Sequence, residues 1–77
     1  MSISSEFVAQ LKPTERKIVE RVAFGLTNRA IARRLHLTEG SVRQFLYQSS
    51  RALPRKPEVN PRVAIVIAYL EGTGRLV

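Results

Sequence analysis

Between residues 37 and 53 the chain reads LTEGSVRQFLYQSSRAL, and five side chains in it can do recognition chemistry together: Arg43, Gln44, Tyr47, Gln48 and Arg51. Wound as a helix at about 100° per residue, the segment puts Val42, Phe45, Leu46, Ser49 and Leu53 on one side. Gln44, Tyr47 and Arg51 then lie nearly opposite, flanked by Arg43 and Gln48. A merely solvated face mixes both signs of charge, whereas no acid follows Glu39 here. Each of these residue types has a use on a nucleic-acid groove. An arginine fork matches guanine O6 and N7, and a glutamine amide matches adenine N6 and N7. Tyrosine and serine hydroxyls reach phosphate oxygens. At the start of the same helix Gly40 adds no bulk, and the free backbone N–H groups around Thr38 to Ser41 favour a phosphate.

The charge distribution points the same way. Thirteen Lys and Arg against six acids give a net charge of +7. Residues 27–56 hold seven of the bases (Arg29, Arg33, Arg34, Arg43, Arg51, Arg55, Lys56) and one acid, Glu39, so nearly all the excess sits in the middle third. A clustered basic surface is the footprint of a polyanion partner. Other classes are poorly served. The chain has no cysteine, hence no disulfide, thiolate metal site or thiol nucleophile, which fits a reducing cytoplasm. Its single histidine, His36, has no carboxylate constellation around it, so neither catalysis, a metal nor a cofactor is expected. No apolar stretch reaches the length of a membrane span, and the N-terminus lacks the pattern of a signal peptide.

The elements that would position this face can be read in order. The 77 residues make one small domain. Residues 1–10 form an N-terminal segment, with a short helical turn capped by Ser4 or Ser5 and carrying Phe7 and Val8. A helix over 13–24 opens on Pro13 with Glu15 in its first turn. It carries Ile18, Val19, Val22 and Ala23 as one apolar stripe and stops at Gly25. Thr27 caps a helix over 28–35 with Ile31, Ala32 and Leu35 inward. Thr38 caps the next, over 39–52, which Pro54 ends. Residues 54–60, rich in proline, are a stiff connector. Asn60 and Pro61 then open a last helix over 61–71, whose β-branched run has a strand as its alternative, and residues 72–77 are a tail.

Two helices joined by about three residues, with a basic first partner, make a helix-turn-helix: the first crosses the backbone of duplex DNA and the second enters the major groove. The run LKPTERKIVERVAFGLTNRAIARRLHLTEGSVRQFL resembles the LuxR-type (GerE-like) helix-turn-helix domain of bacterial transcription regulators. The resemblance is carried by Leu11, Pro13, Glu15, Gly25, Leu26, Thr27, Asn28, Ile31, Ala32, Leu35, Leu37 to Gly40, Val42 and basic Arg43, and covers residues 11–53. It implies an all-α, four-helix DNA-binding domain. It also implies that bases are read from Arg43, Gln44 and Tyr47, and that phosphates are met around Thr27, Asn28, Arg29, Thr38, Ser41 and Arg51, with Gln48 beside them. Several positions depart from that pattern. Lys12 stands where a capping Ser or Thr is usual, Ala30 where an acid is common, and the connector to the last helix is longer. A similar helix pair occurs in the promoter-reading domain of sigma factors.

The last helix carries more apolar surface than a surface helix needs. Val63, Val66, Ile67 and Leu70 make one strip, assigned to the core. Ile65, Ala68 and Tyr69 make a second, which we expect either to be a homodimer contact or to be covered by the connector or the N-terminal segment. The leading expectation is a sequence-specific regulator bound to double-stranded DNA in the bacterial cytoplasm, at the nucleoid. The rival is a protein-interaction adaptor of the same fold, with the Tyr/Gln face turned to RNA polymerase or another regulator.

Overall fold

Each turn between helices carries a residue that stops one helix or starts the next. The computed structural model describes residues 3–54 and 58–74. Five helices follow one another: α1 (Ile3–Ala9), α2 (Pro13–Ala23), α3 (Asn28–Leu35), α4 (Glu39–Arg51) and α5 (Pro61–Gly72). No strand is present among the described residues, and residues 61–72 are helical. No helix there is long and apolar enough to cross a membrane.

Lys12 has no side-chain acceptor for α2, but the Glu15 carboxylate accepts from the Lys12 backbone N–H at 2.8 Å, so one half of a capping box survives. Gly25 adopts φ +89 and ends the α2 turn. The Thr27 hydroxyl oxygen accepts from the Ala30 N–H at 3.2 Å, so this cap forms without the acid that usually completes it. His36 takes the left-handed conformation at φ 58, and the Leu37 N–H closes back on the Ala32 carbonyl at 2.8 Å. That gives the lone histidine a structural role in the turn. Asn60 caps α5 through the Arg62 N–H at 2.8 Å, with Pro61 in the first turn.

The core is drawn from every helix: Phe7 and Val8, Ile18, Val19 and Val22, Ile31 and Ala32, Val42 and Leu46, and Ile65, Ala68 and Tyr69, closed by Leu53 beyond α4. Burying a side chain such as Ile31 or Val42 contributes about 1.5–3 kcal/mol.

Three expectations are corrected. First, α1 is a two-turn helix beginning at Ile3, so Ser4 and Ser5 lie inside its first turn instead of capping it. Second, the two strips of α5 divide differently. Ile65, Ala68 and Tyr69, expected as a dimer contact, are 1%, 6% and 1% exposed within a single chain; of the strip assigned to the core, Val66 and Leu70 pack against it while Val63 and Ile67 are exposed. The physical reason is that α1 packs along α5 and α2 and α4 close its other sides; the N-terminal segment was the alternative cover for this strip. Third, Gly72 is the last residue of α5 and not part of a loose tail. A Cβ at this position would run into the Ser4 carbonyl oxygen and the Val8 side chain, so the glycine lets α1 and α5 meet. Of the basic and tail residues noted in the sequence, Arg55, Lys56 and 75–77 lie outside the described residues.

Candidate nucleic-acid interface

The face that the sequence assembles around Tyr47 exists as a surface. Gly40, Ser41, Arg43, Gln44, Tyr47, Gln48 and Arg51 are all exposed, and Val42, Leu46 and Ser49 of the same helix are buried, with Phe45 half-buried between them. The helix is therefore held by one side and offers the other. Tyr47 is 60% exposed, which removes sideways packing into the core as its role. The Arg51 guanidinium carbon lies 5.8 Å from the centre of the Tyr47 ring, a cation–π distance that holds the two long side chains side by side.

At the N-terminal end of α4 the hydroxyls have unequal freedom. The Ser41 N–H donates to the Thr38 hydroxyl oxygen at 3.0 Å, and the Thr38 hydroxyl donates to the Ser41 hydroxyl oxygen at 2.8 Å. Thr38 thus spends its proton inside the cap, while Ser41 keeps its own for an outside acceptor. Of these two expected phosphate contacts, Thr38 is also the helix cap.

The start of α3 lies next to it. Thr27, Asn28 and Arg29 share a shallow depression with Gly25, Leu26, Glu39 and Arg62. Arg29 is exposed and Asn28 half-buried. Arg33 and Arg34 are exposed on the last turn of α3, where cations also suit the helix dipole. The structure therefore gathers two groups, the α4 face and the α3 start, on adjoining parts of the surface, since Asn28 lines one concavity with Arg43, Tyr47 and Arg51 and another with Glu39. Ile65, Ala68 and Tyr69 belong to neither group.

Arg62 was missed by reasoning from the sequence. Its guanidinium donates to the Asn28 side-chain oxygen at 2.5 Å and to the Leu26 carbonyl at 2.6 Å. One signal was available: Arg62 is a cation in the first turn of a helix whose next eight residues carry no charge, where it opposes the dipole, so it needs a specific partner. Among the described residues no cluster of three or more His, Asp or Glu could hold a metal ion.

Comparison with known proteins adds a family. The model of the family described as Sigma-70, region 4 matches residues 5–53, which takes in most of α1 and all of α2, α3 and α4, and stops before α5. No curated protein and no solved structure matches the chain. The helix-turn-helix part of the expectation stands, and the sigma-factor relation, kept above as the second resemblance, is the one that the match carries. The chain belongs to the sigma-70 region 4 family of helix-turn-helix DNA-binding domains.

Proposed function

We propose that this chain is a sequence-specific reader of double-stranded DNA in transcription, acting at the nucleoid. In this reading α4 lies in the major groove and α3 lies across the adjoining backbone. The observation that carries it is the exposed Arg43-Gln44-Tyr47-Gln48-Arg51 face, free of acid, on a helix whose opposite side is buried in the core. Arg43, Gln44 and Tyr47 are the base readers. Thr27, Asn28, Arg29, Ser41, Gln48 and Arg51 hold phosphates, with Thr38 shaping the end of the helix. Membership of the sigma-70 region 4 family supports a role in promoter reading, either as a sigma-like module or as a regulator of the LuxR type.

Selection of binding sites from random duplexes at about 150 mM salt tests the reading, since specific and non-specific binding part company there. A shared motif supports it. Arg43→Ala and Gln44→Ala are each expected to cost about 1–3 kcal/mol and to relax the motif. Featureless, weak selection by a folded protein would overturn it in favour of the protein-interaction adaptor. Val63 and Ile67, one helical turn apart on α5 and both exposed, favour a protein contact, such as one with RNA polymerase, in addition to DNA.

A further inference from the structure

We infer that Arg62, on a helix beyond the part of the chain that the family model matches, is a positioning residue for DNA recognition and acts through Asn28. The inference rests on the reading of α3 and α4 as the DNA-facing pair.

The guanidinium reaches across 34 residues of chain to the Asn28 side chain and across 36 to the Leu26 carbonyl. A guanidinium only donates, so the atom it meets on Asn28 must be the amide oxygen. This settles which way the amide faces. Its Nδ2, with two donor hydrogens, is turned away from Arg62 and has no hydrogen-bond partner among the described residues. Nδ2 lies on the first residue of α3, beside Arg29 and the Thr27 cap, where a backbone phosphate is expected. Left alone, the amide of Asn28 could face either way. Arg62 holds the orientation that offers donors outward.

Two features separate this from an ordinary tie between helices. The first is geometric: one planar fork serves two acceptors at once, which a lysine point charge cannot reproduce. The second is electrostatic. Arg62 sits in the first turn of its own helix and against the first residue of α3, so its charge opposes both helix dipoles. A neutral donor would join the same elements without that cost. A cation kept at that cost is kept for the geometry of its fork, which sets the Asn28 amide. The two acceptors hold the cation in the free protein, and the half-buried setting strengthens both bonds.

The test is a binding titration of the full chain, by fluorescence anisotropy, on a duplex recovered by random-site selection, over a series of salt concentrations. The variants are Arg62→Lys, Arg62→Ala, Asn28→Ala and the double Arg62→Ala/Asn28→Ala, each checked for helicity by circular dichroism. Each single change is expected to lose about tenfold or more in affinity, the size of one hydrogen bond to a charged acceptor. The double is expected to lose no more than the singles, because both act on one contact, and the salt slope should stay as in the parent. Parent-like binding by Arg62→Lys, with Arg62→Ala flattening the slope by about one, would mean that Arg62 meets a phosphate directly and would overturn the inference. So would losses that multiply in the double variant. If Arg62→Ala does not fold, Arg62→Lys and Asn28→Ala carry the comparison: matching losses support the inference, and parent-like Arg62→Lys overturns it. If the parent binds and every variant binds equally well, the inference alone fails. If the parent binds no duplex, the DNA reading fails and this falls with it.

Discussion

The Tyr69 hydroxyl donates to the Glu20 carboxylate at 3.0 Å, joining α5 to α2 across 49 residues of sequence. The ring of Tyr69 is in the core and its polar tip is satisfied by an acid on the neighbouring helix, which is how a buried tyrosine avoids an unpaired hydroxyl. Tyr69→Phe keeps the packing and leaves Glu20 without this donor. Urea unfolding is expected to show a loss of about 1–2 kcal/mol, with duplex affinity of the folded protein unchanged. An unaltered midpoint would mean that the bond carries no stability.

Gly72→Ala is expected to be among the most damaging single-methyl changes in the domain. The new carbon would meet the Ser4 carbonyl oxygen and the Val8 side chain, so α1 and α5 would have to separate. Overpacking of this kind costs about 1–3 kcal/mol. A drop in thermal midpoint together with faster hydrogen exchange in α1 would show it; parent-like exchange would show that the helices can part without cost.

The two strips of α5 can be told apart directly. Ile65→Asp buries an uncompensated carboxylate and is expected to unfold the chain. Val63→Glu and Ile67→Glu, on exposed positions, are expected to change stability by about 0.5 kcal/mol or less. Should Ile67→Glu alone abolish a sedimenting dimer, the exposed strip would be the self-association surface. A monomer throughout would leave it to other partners.

Arg29 and Arg51 are expected to act on every duplex alike. Replacing either with alanine should lower affinity for selected and scrambled sites together and reduce the salt slope by about one. A loss confined to the selected site would make that arginine a base reader.

The sequence alone was enough to read the helix-turn-helix. Thr27, Thr38 and Asn60 cap where their side chains predict, and the alternation of Val42, Leu46 and Ser49 against Arg43, Gln44 and Tyr47 leaves one orientation for α4. The placement of α5 was not legible, for a definite reason. Both of its strips are apolar, so helical periodicity gives two equivalent answers. The choice between them is made by α1, by the Tyr69–Glu20 bond and by the Arg62–Asn28 bond, all pairings between distant residues that no local window contains. The LuxR-type resemblance has the same limit. It rests on a helix pair that sigma-70 region 4 also has, and the matched segment stops before α5.

The seating of α1 on α5 at Gly72 also orders events during synthesis. The oily side of α1 is covered by a helix that leaves the ribosome some fifty residues later, so a nascent chain that already contains the DNA-reading pair is still open along its back. Until residue 72 has cleared the exit tunnel, Phe7 and Val8 lack their α5 cover, and a truncated product without α5 is expected to be more open to chaperones and proteases. The last helix, though remote from the groove-facing side chains, thus sets the moment at which the protein becomes durable.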